Sequence, residues 1–397
     1  MWQGRRVVLG VTGGIAAYKC VLLARELTRR GAEVDVVMSR GAGQFVGAVT
    51  FEAVTRRSVR SSLWERDGAL DHLALGQDAD LIILAPATAH LIARAAHGLA
   101  DDLLTAMLLA TTAPVLVAPA MNDEMFANPA TQANVAALRS RGWQLVGPGI
   151  GALAEGPSDR PGRMAEPDEI LAHAARCLRG TGTLSGRRVV VTAGPTRESI
   201  DPVRLVTNRS SGKMGYRLAE AAWQRGAEVT LISGPSSERE PVGVPVIRVD
   251  TTAEMAAAIR DQIGMADVLI MAAAPADYRV ANPQDTKLAR GAGVLALELV
   301  STDDILLATL PDRPAGLTSV GFALETGDGE AKALAKLQRK QLDLIVVNDL
   351  HDTGAGFEVD TNQVTILDRH GSVTPVPLRS KAEVAEAILD AIEKYRE

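Results

Sequence analysis

Gly4-Arg5-Arg6-Val7-Val8 begins the first apolar run of the chain, and the same pattern returns as Gly186-Arg187-Arg188-Val189-Val190 in the second half. In both copies a Gly-Ala-Glu-Val segment follows, at 31–34 and at 226–229. An apolar run, a stretch with helical periodicity and a second apolar run together indicate a strand, helix, strand unit. The repeat therefore predicts two α/β domains that begin in the same way.

The length of the chain agrees with two domains. Its 397 residues exceed an ordinary single core, since domains usually hold about 100–200 residues. The Gly/Thr/Ser-rich stretch at 179–186 has no hydrophobic periodicity, which is typical of a linker. We expect a first domain at 1–184 and a second at 185–397.

Apolar runs of strand length alternate with helical periodicity in both halves, which predicts two doubly wound, Rossmann-like parallel sheets. The expected strands of the first domain are 6–11, 34–39, 80–85, 115–118 and 143–146. Those of the second domain are 188–193, 229–233, 246–249, 267–272, 318–322 and 343–347. The second domain should end in an antiparallel appendage at 357–367 and 373–378, followed by an amphipathic helix near 380–395.

Composition argues against several classes of protein. The 42 basic and 48 acidic side chains give a net charge of −6, which offers no general attraction for nucleic acid or an anionic membrane. Cys20 and Cys177 are the only cysteines, and both lie in helical apolar patterns, so we expect core thiols rather than disulfides or a zinc site. No run of about 20 apolar residues occurs, and a cytoplasmic protein is expected.

A glycine-rich turn, Gly10-Val11-Thr12-Gly13-Gly14-Ile15, joins the first strand to the first helix and lets backbone N–H groups approach an anion. A dinucleotide site would need an acidic residue at the end of the second strand to hold a ribose hydroxyl. The second strand ends at Ser39 instead, and a hydroxyl suits a phosphate better. The pattern favours a mononucleotide such as FMN and counts against an NAD-dependent dehydrogenase.

Three further segments of the first half follow strands or lie in loops: Asp71-His72-Leu73, Ala85-Pro86-Ala87-Thr88 and Pro119-Ala120-Met121-Asn122. Taken alone, His72 is more often a surface or capping residue than a catalytic one. Asn122 directly follows a buried strand, where an amide is either a turn residue or a ligand-binding group.

Together, the segments TGGIAAYK, DHLALG, LAPATA, PAMN and GRM (162–164) resemble the flavin-dependent phosphopantothenoylcysteine decarboxylase family, within the homo-oligomeric flavin-containing cysteine decarboxylases. The resemblance implies a flavodoxin-like first domain that uses FMN to convert 4′-phosphopantothenoylcysteine into 4′-phosphopantetheine with loss of carbon dioxide. The FMN contacts that it implies are Gly13, Gly14, Ile15, Ser39, Ala85, Pro86, Ala87, Thr88 and Met121.

The same resemblance implies catalytic roles. His72 would be the acid/base near the reacting carbon, and Asn122 would hold the departing carboxylate through uncharged donors. The mobile flap of the family usually carries an Ala-Cys-Gly element, whereas this sequence has Glu155 at the cysteine position. We hypothesise that Glu155 donates the proton, which requires burial to raise its pKa. The alternative is a flavin-binding regulatory protein with an inactive decarboxylase half, which Glu155 mildly favours and the presence of His72 and Asn122 opposes.

The second half differs from the first directly after its opening strand. From Gly4 to Gly31 the chain advances 27 residues, whereas from Gly186 to Gly226 it advances 40, an excess of 13. Pro195 argues against a helix beginning at once. Since ligands of open α/β sheets bind at the carboxyl ends of strands, the inserted residues within 196–214 predict a binding loop.

A helix is expected to begin only after the segment Thr207-Asn208-Arg209-Ser210-Ser211-Gly212-Lys213. Its hydroxyls, glycine and lysine form a plausible anion cradle, although the spacing is not that of a P-loop. Lys336 and Lys340, four residues apart on one helix, are by themselves more typical of a solvated basic face.

As an ordered set, TAGPTRE (192–198), SSGKMG (210–215), ADYR (276–279) and GFALET (321–326) resemble the phosphopantothenate-cysteine ligase family, and the order of the two halves matches the fused bacterial enzyme of coenzyme A synthesis. The resemblance implies that CTP and Mg²⁺ activate phosphopantothenate as an acyl-cytidylate, which the amine of cysteine then attacks. Neither the resemblance nor the residues assign metal ligands.

The ligase resemblance also implies site residues. Asn208 would bind the acyl-cytidylate, Asp277 the ribose or base, and Lys287, Lys336 and Lys340 the triphosphate. The usual Asn-Pro-Asp element reads Thr302-Asp303-Asp304 here. The remaining nucleotide contacts implied are Met271, Ala272, Ala273, Ile305 and Phe322. Small-molecule substrates are the expected partners, with neither nucleic acid nor membrane, in a homo-oligomer of trimeric decarboxylase units and dimeric ligase contacts.

Overall fold

The computed structural model describes residues 1–64, 70–179, 182–290, 294–325, 329–349 and 359–397. Residues 180–181 of the expected linker, 357–358 of the expected appendage and Thr326 of the GFALET segment lie outside the described residues. The chain divides into two compact units, Met1–Arg179 and Gly180–Glu397. None of the described helices combines the length and the apolar character that a membrane span needs.

The first unit is built on a five-stranded parallel sheet in the order β2-β1-β3-β4-β5, which is the strand order of flavodoxin-like folds. The strands are β1 (Arg6–Val11), β2 (Glu33–Met38), β3 (Leu81–Ala87), β4 (Val115–Pro119) and β5 (Gln144–Leu145), with a small antiparallel pair, β6 (Gly149–Ile150) and β7 (Pro161–Arg163). The helices are α1 (Ala17–Arg29), α2 (Ala48–Thr55), α3 (Asp71–Gln77), α4 (Ala89–His97), α5 (Leu103–Ala110), α6 (Asp123–Ala127), α7 (Pro129–Ser140) and α8 (Pro167–Arg179), with a 3₁₀ turn at Ala42–Gln44. All five expected strands are confirmed, although the last is shorter than predicted.

Helices cover both faces of this sheet. The helices α1 and α8 bury their apolar sides on one face, and α4, α5 and α7 bury theirs on the other. All seven residues of β3 are buried, because it lies between β1 and β4 in the middle of the sheet. Cys20 and Cys177 are buried free thiols, as predicted. Burial raises the pKa of the Cys20 thiol far above its ordinary value, so this thiol remains protonated.

The second unit contains an eight-stranded sheet in the order β12-β11-β8-β13-β16-β17-β18-β19. The strands of the unit are β8 (Arg188–Ala193), β9 (Arg197–Ser199), β10 (Leu205–Thr207), β11 (Glu228–Ser233), β12 (Val246–Arg248), β13 (Val268–Met271), β14 (Tyr278–Val280), β15 (Leu299–Ser301), β16 (Thr318–Glu325), β17 (Leu344–Asp349), β18 (Thr361–Asp368) and β19 (Val373–Ser380). The helices are α9 (Lys213–Gln224), α10 (Thr252–Ile263), α11 (Ile305–Ala308), α12 (Gly329–Arg339) and α13 (Lys381–Arg396), with a 3₁₀ turn at Leu310–Asp312. Within this sheet the six strands β12, β11, β8, β13, β16 and β17 run parallel, and β18 and β19 form the predicted antiparallel appendage.

The two faces of the second sheet carry different helices. The helices α10, α11 and α12 share one apolar cluster with the sheet, whereas α9 and α13 pack against each other. Arg225, at the end of α9, holds the two helices together: its guanidinium lies 2.6 Å from a carboxylate oxygen of each of Glu386, Asp390 and Glu393 on α13. We call this contact the Arg225 clamp.

The inserted residues of the second unit fold as an antiparallel pair, β9 and β10. The buried carboxylate of Asp201, between the two strands, accepts hydrogen bonds from the backbone N–H groups of Val203 and Arg204, both at 2.8 Å. It also accepts one from the N–H of Leu288, at 3.1 Å, so the hairpin is tied to the 282–290 loop.

Two candidate active sites

The first unit has a cavity of about 830 Å³. Its walls include residues that directly follow β1, β2, β3 and β4, so it opens at the carboxyl ends of these parallel strands, where such folds bind ligands. The sequence-predicted residues that line it are Gly13, Gly14, Ile15, Ser39, Thr88, Met121, Asn122 and Glu155.

Two loops meet at the rim of this cavity. A Cβ atom on Gly13 would lie 2.8 Å from the carbonyl carbon of Gly41 and 2.9 Å from its oxygen, so the loops touch through their backbones. The Ser39 hydroxyl accepts a hydrogen bond from the Ala42 N–H at 3.3 Å, which closes the turn after β2. The hydroxyl proton of Ser39 remains available for an anionic ligand.

Ala85, Pro86 and Ala87, which the resemblance implies as FMN contacts, lie in the last part of β3. These residues are buried within the central strand β3 and do not line the cavity. They support the cavity wall from within the sheet, because the carbonyl oxygen of Pro86 accepts a hydrogen bond of 2.6 Å from the hydroxyl of Thr12, which lines the cavity. The Thr12 hydroxyl in turn accepts one from the Thr88 N–H at 3.2 Å, and Thr88 caps α4 at the cavity wall.

The structure brings Asn122 and Glu155 together, since the Asn122 side-chain N–H₂ donates a hydrogen bond to the Glu155 carboxylate. The Asn122 oxygen caps α6 by accepting from the Glu124 N–H at 2.9 Å, which fixes the amide orientation. Glu155 lies at the tip of a tight turn in which the Leu153 N–H donates to the Gly156 oxygen at 2.8 Å. Glu155 is exposed, however, so the burial that its proposed acid role requires is not provided within its own chain.

His72 does not reach this cavity. It is the second residue of α3, whose start is held by an ion pair of 3.1 Å between Asp71 and Arg60. Arg60 pairs with the outer side of β2, whereas Asn122 follows β4, four strand spacings or about 19 Å away. The His72 Nδ1 atom is buried and has no hydrogen-bond partner among the described residues.

Basic side chains that the sequence analysis did not assign also line the first cavity. Lys19 is buried and lies 2.7 Å from the Glu166 carboxylate, which also receives Arg163 at 2.8 Å. The hydrogen bond from Lys19 holds the pKa of Glu166 below its ordinary value. Arg40 lies beside Ser39 at the rim. A basic residue directly after the strand-end hydroxyl was the signal for Arg40 in the sequence.

The second unit has a cavity of about 750 Å³. It is lined by residues after β13, on β16 and β17, and before α9, including 210–214 of the predicted anion cradle. The sequence-predicted residues that line it are Asn208, Met271, Ala272, Ala273, Asp277, Thr302, Asp303, Asp304, Ile305, Phe322, Lys336 and Lys340.

Hydrogen bonds connect the separate segments of this cavity. The Thr302 N–H donates to the Asp277 oxygen at 2.9 Å, and the Thr302 hydroxyl donates to the Ala276 oxygen at 2.6 Å. Asp304 caps α11 and forms an ion pair of 3.0 Å with Lys340. The acid and the lysine that the sequence placed at the nucleotide are therefore in direct contact.

The amide of Asn208 is oriented by the chain itself. Its N–H₂ group donates to the carbonyl oxygens of Ala274 at 3.0 Å and Pro275 at 2.9 Å. Both donors are thereby used, and the side-chain oxygen is the atom left to accept an N–H from a substrate.

Lys287 is the predicted ligase residue that the structure places elsewhere. It is exposed on the 282–290 loop and does not line the cavity. The neighbouring Leu288 N–H is bound to Asp201, which holds the loop against the β9–β10 hairpin.

Four polar residues to which the sequence analysis gave no individual role also line the second cavity: Lys213, Asn348, Asn362 and Lys381. Lys213 lies in the SSGKMG segment, but the other three lie outside every quoted motif. Lys381 could not be singled out from the sequence, because Ser380 followed by a lysine is typical of an ordinary helix cap. Ser380 does cap α13 in the structure.

Comparison with known proteins gives the same division of the chain. The family described as Flavoprotein matches residues 1–179, and the family described as DNA/pantothenate metabolism flavoprotein C-terminal domain matches residues 184–395. The coenzyme A biosynthesis bifunctional protein CoaBC of Vibrio vulnificus strain YJ016 is 45% identical over 397 residues, covering 98% of each chain. CoaBC of Mycobacterium tuberculosis strain H37Rv is 45% identical over 403 residues, covering 98% of this chain and 96% of its own. CoaBC of Bacillus subtilis strain 168 is 44% identical over 397 residues, covering 99% and 97%.

Proposed function

The chain belongs to the family of coenzyme A biosynthesis bifunctional proteins, and from this premise we propose which residues carry its two reactions. It is a bifunctional enzyme with phosphopantothenoylcysteine decarboxylase and phosphopantothenate-cysteine ligase activities. The alternative, a regulatory protein with an inactive decarboxylase half, is not favoured by likeness over nearly the full chain. We keep the domain boundary between residues 184 and 185 as part of the proposal.

The main support for the proposal is that the predicted residues of the two reactions line two separate cavities. The residues implied for the flavin and the carboxylate line the first cavity, apart from His72 and three buried residues of β3. Those implied for the nucleotide and the acyl-cytidylate line the second cavity, apart from Lys287. Each cavity therefore suits one of the two reactions, with ligation supplying the substrate for decarboxylation.

The first cavity suits FMN as the particular flavin. The Gly13–Gly41 contact leaves backbone open to a phosphate, Ser39 offers a hydroxyl proton, and Arg40 adds a positive charge. Ile15 and Met121 contribute apolar side chains to the wall of this cavity. Bound FMN would supply the oxidation and reduction that make loss of carbon dioxide from the cysteine moiety possible.

Asn122 is placed to orient the substrate carboxylate. Its N–H₂ group already donates to a carboxylate, that of Glu155, so the substrate would replace Glu155 as the acceptor. The released Glu155 would then lie beside the reacting group. On this basis we retain Glu155 as the proposed proton donor.

His72 supports the proposal that the flavin site is shared between subunits of a homo-oligomer. It lies away from the cavity of its own chain, and its buried Nδ1 has no partner among the described residues. Ile15, Tyr18 and Leu22, at and beside the cavity rim, are more than half exposed apolar side chains that a neighbouring subunit would cover. In this arrangement the His72 of one chain completes the flavin site of the next.

Mixed oligomers test the shared site. We expect His72→Asn and Asn122→Ala each to abolish decarboxylation. Co-expression of the two variants should restore part of the activity, because some sites then combine an intact His72 with an intact Asn122. Mixed oligomers without any gain would contradict a shared site.

The second cavity suits CTP with Mg²⁺. Lys336 and Lys340 offer positive charge for the triphosphate, and Asp277, Asp303 and Asp304 offer carboxylate oxygens for the ribose or a magnesium ion. Asn208 presents an acceptor to an N–H of the activated intermediate or of the attacking amine. Lys287 would reach the triphosphate only if its loop moved away from the hairpin, and we keep its role as a proposal.

One assay tests both assignments. Purified protein supplied with 4′-phosphopantothenate, cysteine, CTP and Mg²⁺ should release pyrophosphate and carbon dioxide and yield 4′-phosphopantetheine. Failure to release pyrophosphate would refute the ligase assignment. Accumulation of 4′-phosphopantothenoylcysteine in the FMN-loaded protein would refute the decarboxylase assignment. We propose a cytoplasmic location, in keeping with an enzyme of coenzyme A biosynthesis.

A further inference from the structure

The TAGPTRE segment (192–198), which lies entirely within the described residues, does not line the ligase cavity. It lies beside the loop at 272–277, which follows β13 and contributes predicted nucleotide contacts to the cavity wall; we call it the nucleotide loop. Backbone N–H groups of this loop donate to the segment: that of Ala273 to the Thr192 hydroxyl at 3.1 Å, that of Ala274 to the Gly194 oxygen at 2.9 Å and that of Ala276 to the Thr196 hydroxyl at 2.8 Å. The segment therefore holds the nucleotide loop from outside the cavity.

Thr196 is fully buried and is bonded to both parts of the site. Its hydroxyl oxygen accepts the Ala276 N–H of the nucleotide loop. Its carbonyl oxygen accepts a hydrogen bond of 2.7 Å from the hydroxyl of Thr207, the residue before Asn208. Asn208, which we propose for the acyl-cytidylate, in turn donates to two carbonyl oxygens of the same loop. A shift of Thr196 would therefore disturb the nucleotide contacts and Asn208 together.

The buried carboxylate of Glu198 sets the direction of the hydrogen bonds around Thr196. A carboxylate only accepts hydrogen bonds, and this one receives the Thr252 N–H at 2.9 Å and the Thr252 hydroxyl at 2.8 Å. A hydroxyl has one proton to donate. In the 2.8 Å contact between the Thr252 and Thr196 hydroxyls, Thr196 must therefore be the donor. The Thr196 oxygen is left to accept the Ala276 N–H.

One longer contact does not change this order. The Thr252 hydroxyl also lies 3.5 Å from the Ala276 carbonyl oxygen, which is beyond the ordinary range of a hydrogen bond. That oxygen already accepts the Thr302 hydroxyl at 2.6 Å. Because Thr302 is itself a predicted nucleotide contact, the same network reaches a second segment of the cavity wall.

We propose that Thr196 is a positioning residue of the ligase, whose hydroxyl, oriented by Glu198 through Thr252, sets the position of the nucleotide loop and of Asn208. The proposal rests on the proposed ligase function. Neither Thr196 nor Glu198 lines the cavity, so both act through the loop. Small displacements matter in such a site, since about 1 Å at a reacting group can cost about a hundredfold in rate.

The test measures the kinetics of pyrophosphate release for Thr196→Val, which keeps the size of the side chain and removes the hydroxyl. The buried Ala276 N–H then loses its acceptor, and an unpaired buried donor is costly enough for the loop to move. We expect the KM for CTP to rise about tenfold, which corresponds to about 1.4 kcal/mol. A variant that merely folds less completely would lower the apparent kcat and leave the KM unchanged.

Thr318→Val is the matched control. Thr318 is a buried threonine of the same sheet, and its hydroxyl accepts a hydrogen bond of 2.8 Å from Arg396. It lies at the start of β16 and does not line the cavity. Its KM for CTP should equal that of the parent. Thr196→Ser, which keeps the hydroxyl, should return the KM to within about twofold of the parent value.

Glu198→Met tests the direction of the network. Without the carboxylate, the Thr252 hydroxyl is free to donate to Thr196, so the proton of Thr196 loses its acceptor. We expect about the same rise in the KM for CTP as in Thr196→Val. The double variant should show no larger rise than either single variant, because the two residues act through one chain of hydrogen bonds.

Three results would overturn the proposal. The KM for CTP could be unchanged in a folded Thr196→Val protein, it could rise equally in Thr318→Val, or the effects of Thr196→Val and Glu198→Met could multiply in the double variant. Melting curves establish folding, and if Thr196→Val does not fold, Glu198→Met carries the same prediction. If the parent protein itself releases no pyrophosphate, the proposed ligase function has failed instead, so the two failures are distinguishable.

Discussion

The contact between the Gly13 and Gly41 loops provides the sharpest test of the flavin site. A Cβ atom at Gly13 would lie 2.8 Å from the Gly41 carbonyl carbon, whereas ordinary contacts begin at 3.4 Å. Gly13→Ala must therefore separate two backbone segments by about 0.6 Å, and such overpacking typically costs about 1–3 kcal/mol. Gly13 does not have a positive φ, so the expected effect is steric.

The cost should be divided between stability and flavin affinity. If the loops stay together, we expect a fall in melting temperature of about 2–4 °C for each kcal/mol. If they separate, the FMN dissociation constant should rise by about 5- to 150-fold, since each 1.4 kcal/mol is tenfold. Quenching of flavin fluorescence measures the affinity, and thermal melts of the protein without FMN measure the stability.

Gly43 provides a matched control, because a Cβ there would meet nothing within 4 Å. Gly43→Ala should therefore bind FMN like the parent and melt at the same temperature or slightly higher. The reasoning is refuted if Gly13→Ala matches the Gly43→Ala protein in both measurements.

Four further predictions concern single side chains. Lys340→Met should raise the KM for CTP about tenfold and leave the KM for cysteine unchanged, as measured by pyrophosphate release. Glu155→Gln should slow carbon dioxide release without weakening FMN binding, and unchanged turnover would remove Glu155 from the mechanism. Arg225→Met should lower the free energy of unfolding by about 3 kcal/mol in denaturant titrations, whereas the exposed Arg217→Met should cost less than about 1 kcal/mol. Burial lowers the pKa of Lys381 to about 8, so between about pH 8 and 10.5 this side chain is protonated in the unfolded chain but not in the folded chain. Raising the pH through this range should therefore increase the melting temperature of the parent relative to that of Lys381→Met.

The architecture was largely predictable because it follows from local patterns. The repeated Gly-Arg-Arg-Val-Val segment begins β1 and β8, and the two units each build a parallel sheet around that strand. The run at 373–378 corresponds to β19, which continues to Ser380, and the run near 380–395 corresponds to α13, which is shifted by one residue. The run at 143–146 forms only a two-residue strand, because β5 is an edge strand that pairs on one side.

The sites were predictable only where residues follow neighbouring parallel strands. Ser39, Thr88 and Asn122 come after β2, β3 and β4, so strand order alone brings them to one edge of the sheet. His72 and Lys287 lie in segments whose positions depend on tertiary contacts, an ion pair at Arg60 and a hydrogen bond at Asp201. Such contacts leave no periodic signal in the sequence.

Motif membership also did not distinguish lining residues from supporting ones. Ala85, Pro86 and Ala87 belong to a quoted motif yet are buried beneath the cavity, while Lys381 lines a cavity from a segment without any motif. Ala85, Pro86 and Ala87 are buried because β3 lies in the middle of the sheet. Lys381 lines the cavity because α13 packs beside α9.

The Arg225 clamp has a consequence for inhibitors of the ligase half. It fixes the helix that begins with Lys381, yet its own residues do not line the cavity. A compound designed to engage Lys381 could therefore lose potency through substitutions at Arg225 or Glu393, which it never touches. Surveys of resistance that examine only the residues of the binding pocket would overlook such changes. The codons of the clamp residues should be sequenced together with those of the pocket.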